Sequence, residues 1–214
     1  MLDEKDGQVS RCRLQHEETK MQDGMRLTRT ARTNGRPPVV IRPAILPNDI
    51  AEIRALDTSF TTESIHDVWA NDDGFSLRSR PLDAPLLKRF SLDDLEATDR
   101  PWDRGWVSFD GASGNINGFV ATQFKAWNAR LAVWHLYVAP DARRTGIGRA
   151  LITSVSTYAR AVGARRLWVE TTSVNVPGIA AYRALGFSLT GLDLTLYEGT
   201  SAEGEIALFL SRPV

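Results

Sequence analysis

The chain has 214 residues, 43% hydrophobic and 24% charged, with a formal net charge of zero; this suffices for one soluble domain with a real core and a tail. The charge balance gives no reason to expect nucleic acid or an anionic membrane as partner, no apolar run is long enough to span a bilayer, and the N-terminus lacks the apolar stretch of a secretory signal. A single cysteine, Cys12, leaves no intramolecular disulfide and fits a reducing cytoplasm, and with His16, His66 and His135 far apart there is no zinc spacing, so no metal is expected.

Residues 1 to about 37 are rich in Arg, Glu, Asp and Gln, with few apolar residues and no clear period. They cannot bury enough surface to offset ordering, so they read as a polar, disordered extension ahead of a domain over 38–214. Met21 and Met25 are alternative starts. Val39-Val40-Ile41 opens the domain as a strand, and Asn48 and Asp49 are helix caps ahead of Ile50, Ile53 and Leu56. Glu63–Ala70 and Phe75–Arg80 flank Asn71-Asp72-Asp73-Gly74, which predicts a hairpin. Residues 81–104, rich in Pro, Asp and Leu, read as a long loop with a short helix, and loops of that length often carry function.

Trp106–Phe109 and Ile116–Phe124 predict a second hairpin, and Trp127-Asn128 turns the chain into a strand over Leu131–Val138. A polar loop follows Pro140, and Ile147, Leu151, Val155, Tyr158 and Val162 then repeat near a 3.6 period, which predicts a helix. Arg166–Glu170 reads as a buried strand. Asn175 caps a short helix that tolerates Pro177 in its first turn and ends at Gly186. Phe187–Leu189, Leu192–Tyr197 and Glu205–Leu210 supply the last strands. The order predicts an α/β fold: a mixed sheet with helices on its faces.

Two constellations carry chemistry. The first is Arg143-Arg144-Thr145-Gly146-Ile147-Gly148-Arg149-Ala150, between strand and helix. A helix start has unpaired N–H groups and a positive dipole end, two glycines allow close approach, and the arginines add charge. This reads either as a diphosphate cradle or as an ordinary strand-to-helix turn with surface arginines. It is neither a Walker A loop nor a dinucleotide-binding Gly-x-Gly-x-x-Gly. The second is Asn175 and Tyr182, two helical turns apart and so on one face. They line a cleft, or they are a capping residue and a core phenol.

Arg143-x-x-Gly146-x-Gly148, the strand to Glu170, Asn175, Tyr182 and Gly186-Phe187 together resemble, in order and spacing, the GNAT superfamily of N-acetyltransferases. That resemblance implies a mostly antiparallel twisted sheet whose central strands splay apart to admit acetyl-CoA as cosubstrate. It implies that Leu136, Tyr137 and Val138 offer backbone groups to pantetheine and that Arg143, Arg144, Thr145, Gly146, Ile147, Gly148, Arg149 and Ala150 hold the pyrophosphate. Asn175 would touch pantetheine, and Tyr182 would protonate the leaving thiolate, whose ordinary pKa is about 8.5 if it behaves like a cysteine thiol.

Ala55–Thr62, Asp73–Arg78, Ala126-Trp127-Asn128, Leu167–Glu170, Asn175-Val176-Pro177, Gly186–Leu189 and Gly191–Tyr197 are similar to the streptothricin (nourseothricin) N-acetyltransferases within that superfamily. This implies acetyl transfer to the β-lysine amine of a polycationic antibiotic. The alternatives are another amine, such as a polyamine, an amino acid or a protein N-terminus, or a CoA-binding module without catalysis. A cationic substrate calls for carboxylates and aromatic faces: Asp73, Glu170 and Asp193, with Trp127, Trp134 and Tyr197. The resembled enzymes carry acids in the strand before the loop, where this chain has Trp134, His135 and Tyr137. Glu170, Asp193, Asp73 and Asp67 are then the acids left for the base role, with His135 as a replacement. Cys12 lies in the tail and no Ser-His-Asp order is evident, so direct attack in a ternary complex is expected rather than a covalent acetyl-enzyme. The expected partner is a small amine, with the chain a monomer or a homodimer.

Overall fold

The computed structural model describes residues 28–29, 39–111 and 113–214. Its main sheet holds strands β1 (Thr28–Arg29), β2 (Val40–Pro43), β5 (Arg104–Phe109), β6 (Ile116–Lys125), β7 (Arg130–Val138), β8 (Arg166–Thr172), β9 (Ser188–Asp193) and β10 (Ala207–Pro213). Their spatial order is β1-β2-β5-β6-β7-β8-β10-β9, and a separate hairpin is made of β3 (Ser59–Asn71) and β4 (Gly74–Arg89). Helix α1 (Ile50–Arg54) precedes the hairpin, while α2 (Ile147–Ala161) and α3 (Val176–Ala184) follow β7 and β8.

The sheet is buried on both faces because its central strands feed two cores. Along β6, Val120 packs into one cluster with Leu151, Val155 and Ile179, while Phe119 and Ala121 pack into another with Ile53, Leu95 and Trp102. Successive side chains of a strand point to opposite faces, so α2 and α3 cover one face, and α1 with the short 3-10 turn Asp93–Glu96 covers the other. Helix α2 buries Ile147, Leu151, Ile152, Val155 and Ala159, a stripe at helical spacing. Its first turn presses so closely on β6 that a Cβ on Gly118 would lie 2.8 Å from Ile147 Cγ2 and 2.7 Å from Ser108 Oγ.

One irregularity shapes the centre of the sheet. Between β6 and β7 the register steps from Ala121↔His135 to Thr122↔Val133, so Trp134 is an extra, bulged residue. The parallel pairing of β7 with β8 runs from Arg130↔Arg166 to Val133↔Val169 and stops there. Both strands continue, β7 to Val138 and β8 to Thr172, without pairing to each other. The two central strands therefore part at the bulge.

The mixed α/β architecture, its mostly antiparallel sheet and its splayed centre agree with the expected fold; three local expectations do not. The hairpin strands are far longer than the sequence suggests, and residues 81–89 are strand rather than loop. Most of β4 is exposed, so its side chains show no apolar alternation to read. The strand expected over Leu192–Tyr197 ends at Asp193, whose Oδ1 accepts from the Thr195 N–H (2.8 Å), the Thr195 hydroxyl (2.9 Å) and the Leu196 N–H (3.1 Å). Those bonds hold its carboxyl below the usual carboxylate range and turn the chain. Asp49 stands at the start of α1, but its carboxylate bonds Arg42 rather than capping the helix. Of the extension read as disordered, Thr28–Arg29 pair with Ile41 and Val40; the rest, with Cys12 and His16, lies outside the described residues.

Candidate active site

A cleft of about 1190 Å³ opens where β7 and β8 part. Its walls are the far ends of both strands, helix α3, the loop after β7, and the foot of the hairpin at Ser59, Phe60 and Phe90. Beyond Val133, the edge of β7 that carries Leu136, Tyr137 and Val138 has no strand beside it on the β8 side, and all three residues line the cleft.

The loop from β7 to α2 leads into one end. Gly146 has φ +100°, a left-handed conformation, and directs the chain into the helix. The main-chain N–H groups of Thr145, Gly146, Ile147, Gly148 and Arg149 make no hydrogen bond among the described residues. Ala150 differs: its N–H bonds the Gly146 carbonyl at 3.0 Å, and its side chain, like that of Ile147, is buried in the core. Arg144 and Gly148 line the cleft. Arg143 lines it too, but its guanidinium is committed: Nε donates to the Val138 carbonyl (3.0 Å) and Nη2 to the Ser59 carbonyl (2.6 Å). It is a strut between loop and hairpin. Arg149 reaches back to the Ala184 carbonyl at 3.4 Å, and the Thr145 hydroxyl bonds the Ala142 carbonyl at 2.6 Å.

Asn175 and Tyr182 both face the cleft. The Asn175 amide is tied into the fold, donating to Thr171 Oγ1 (2.9 Å) and accepting from the Gly178 N–H (3.0 Å) as the cap of α3. The Tyr182 hydroxyl has no hydrogen-bond partner among the described residues, and burial pushes its pKa up to about 12. It stays a neutral donor.

The other end of the cleft is aromatic. Trp127 (86% exposed) and Trp134 (43%) stand at the mouth, and Trp168 and Tyr197 also line it. The Tyr197 hydroxyl donates to Glu170 Oε1 at 2.9 Å. Lys125 and Arg130 share this rim. Three expected carboxylates are elsewhere: Asp73 sits in the turn at the hairpin tip, Asp67 pairs with Arg80 on the hairpin, and Asp193 holds the turn before Tyr197.

The sequence profile of the Acetyltransferase (GNAT) family matches residues 66–187, from the hairpin through α3. The chain belongs to the GNAT acetyltransferase family. A streptothricin acetyltransferase of Streptomyces lavendulae is 44% identical to it over 174 residues, 78% of this chain and 91% of that one. The crystal structure of a nourseothricin acetyltransferase superposes with TM-score 0.72 at 45% identity, covering 81% of this chain and 96% of the other. A candidate streptothricin acetyltransferase from Bacillus anthracis str. Ames, solved in complex with acetyl coenzyme A, shares the fold at TM-score 0.68 and 20% identity, over 82% and 98% of the two chains.

This acetyl-CoA-dependent N-acetyltransferase holds one group that its sequence did not disclose. Asp94, in the 3-10 turn after the hairpin, has its Oδ2 2.8 Å from His135 Nε2 and accepts from Trp102 Nε1 at 2.7 Å. It lies 41 residues before His135, and no spacing joins the two. The Asp-rich composition of residues 81–104 was the only signal, and it pointed to a region rather than a residue.

Proposed function

We propose that this acetyltransferase transfers an acetyl group to a primary amine of a streptothricin-type antibiotic, the β-lysine amine, and thereby inactivates the drug. The observation that carries this reading is the 44% identity to the Streptomyces lavendulae streptothricin acetyltransferase across 91% of that enzyme. The rim of the cleft supports it: aromatic faces at Trp127, Trp134 and Tyr197, with the Glu170 carboxylate among them, suit a flexible cation.

The other end of the cleft suits acetyl-CoA. The unbonded N–H groups from Thr145 to Arg149, at the positive end of α2, suit a pyrophosphate. The free edge at Leu136–Val138 suits the pantetheine amides, as a strand would. Bound there, acetyl-CoA supplies an acetyl thioester whose carbonyl carbon an amine attacks directly. An N–H on the β7 edge can donate to the thioester oxygen as charge develops on it. Tyr182 donates its hydroxyl hydrogen towards the departing sulfur. With its own pKa raised, it serves best as a hydrogen-bond donor, and the burial that raises it raises the thiol's too, keeping proton transfer within reach.

The test is expression in a drug-sensitive bacterium on nourseothricin, with purified protein assayed in parallel for acetyl-CoA-dependent drug acetylation. Resistance and acetylated drug are expected. Absence of both, with acetyl-CoA still bound, would leave another amine or a non-catalytic role.

A further inference from the structure

The segment between β4 and β5 brings a carboxylate to the back wall of the cleft. Besides the 2.8 Å approach of Oδ2, Asp94 Oδ1 lies 3.1 Å from His135 Nε2. The other ring nitrogen, Nδ1, is 3.5 Å from the hydroxyl of Tyr137. His135 and Tyr137 are two apart on β7, past the bulge, so both project from the same face, and both line the cleft. The His135 side chain is only 10% exposed, held beside Phe119 and edge-on to Trp102. An imidazole is thus fixed with one nitrogen on a carboxylate and the other towards a phenol at the cleft wall.

We propose that His135, oriented by Asp94, is the general base of the acetyl transfer, and that the Tyr137 hydroxyl passes the amine's proton to it. The proposal rests on the amine-acetylation reading above. The acceptor arrives as an ammonium, which cannot attack. Its N–H bond breaks as the proton moves to Tyr137 Oη, while that hydroxyl gives its own proton to His135 Nδ1. The electron pair stays on the amine nitrogen. Total charge is unchanged: ammonium and neutral imidazole become amine and imidazolium, and the Asp94 carboxylate faces the new cation. Tyr137 cannot rest as a phenolate, because burial first, and then Tyr182 and Asp94, push its pKa up. It therefore carries the proton without storing charge. The titratable groups around the imidazole are Asp94 from the 3-10 turn, Tyr137 on its own strand and Tyr182 beyond it on α3; Arg100 lies over the Trp102 ring, 4.8 Å from its centre.

The arrangement demands a tautomer. Neutral His135 must carry hydrogen on Nε2, facing Asp94, and leave Nδ1 as acceptor. Nitrogen-15 spectra of the histidine side chains in the full chain read this directly, without any amine. The Nε2–H form is expected; hydrogen on Nδ1 of neutral His135 would overturn the relay.

Steady-state kinetics with streptothricin provide the second arm. His135→Gln should lower kcat by about 10²-fold or more, and Tyr137→Phe comparably, with acetyl-CoA affinity unchanged by calorimetry. Asp94→Asn can keep accepting from Trp102 and His135 through its amide oxygen, so it removes chiefly the charge. It should lower kcat about tenfold while KM for streptothricin and acetyl-CoA affinity stay near those of the wild type. A purely structural Asp94 would cost stability and leave kcat of the folded variant in place. Intact kcat in folded His135→Gln, Tyr137→Phe or Asp94→Asn overturns the proposal; if His135→Gln fails to fold, the other two variants decide. A wild-type chain that binds acetyl-CoA but acetylates no streptothricin overturns the acceptor reading alone, and the tautomer then decides the relay.

Discussion

Tyr197 donates its phenolic hydrogen to the carboxylate of Glu170 across 2.9 Å, joining the turn after β9 to the first residue of β8 beyond its pairing with β7. Burial and the adjacent carboxylate push the Tyr197 pKa up, so it remains a neutral donor and leaves the charge on Glu170. Glu170 is exposed at the rim, where an incoming ammonium can reach it. Glu170→Gln should raise KM for the drug about fivefold, as for a solvent-screened charge contact worth roughly 1 kcal/mol, and leave acetyl-CoA affinity alone. It should also flatten the salt dependence of KM. Initial rates across drug and salt concentrations check this; an unchanged KM would remove Glu170 from recognition.

Tyr182 separates chemistry from binding. Its hydroxyl has no hydrogen-bond partner among the described residues, while its ring packs edge-on to Phe187, centroids 5.7 Å apart, in the core around α3. Tyr182→Phe keeps the ring and should cost little stability. It should lower kcat by roughly 10²-fold, in the range for a lost proton donor. Since the pKa is about 12, ionisation of Tyr182 should produce no basic fall in kcat below about pH 10. Such a fall in the wild type that persists in the phenylalanine variant belongs to another group. Intact kcat with thiol release still slow would transfer the donor role to water.

Two glycines of the loop should behave differently. Gly146 has φ +100°, so any side chain there strains the backbone, even though open space surrounds its Cβ position. Gly148, in the first turn of α2, has ordinary backbone angles, and its added Cβ would approach only Val138 Cγ2, at 4.0 Å. Gly148→Asp should therefore fold at least as well as wild type, since a carboxylate suits a helix start. The same carboxylate faces the site of an incoming pyrophosphate, so acetyl-CoA affinity should drop by more than tenfold. Gly146→Ala should instead lower stability by about 1 kcal/mol or more. Calorimetry and thermal melts on the pair distinguish binding from strain; unchanged affinity in folded Gly148→Asp would place the diphosphate elsewhere.

The parts legible in the sequence are those with a local signal. The stripe from Ile147 to Tyr158 fixed a helix, and Asn175 with Pro177 and Gly186 bracketed another. The β3–β4 hairpin was under-read because its docking adds long-range contacts, the His66 N–H to Ser173 carbonyl bond (3.0 Å) and the Lys88–Glu205 ion pair, to a few scattered apolar anchors, Phe60, Val68 and Leu77, that follow no regular alternation. Asp193 looked like a recognition acid because composition cannot show that its oxygens are occupied by Thr195 and Leu196. The Asp94–His135 pair depends on a turn folding under the sheet, a tertiary fact with no sequence period. The Trp134 position read as a lost acid is the bulge that parts the central strands.

Asp49 ties part of the fold's stability to pH. This carboxylate, 6% exposed, accepts from Arg42 Nη1 (2.6 Å) and Nη2 (2.8 Å) and from the Ile45 N–H (2.7 Å). The Arg42 bond dominates and holds its carboxyl below the usual range. A carboxylate with a lowered folded pKa adds stability that is fully present above the unfolded value, about 3.9, and is lost as pH falls through the folded value. Asp49→Ala leaves Arg42 half-buried and unpaired, and should destabilise by roughly 3 kcal/mol at neutral pH. Asp49→Asn keeps the shape and removes the titration. Urea midpoints of wild type and Asp49→Asn should differ most above pH 5 and converge as pH drops below about 4. A gap that stays constant across that window would show that the Arg42–Asp49 pair does not link folding to pH.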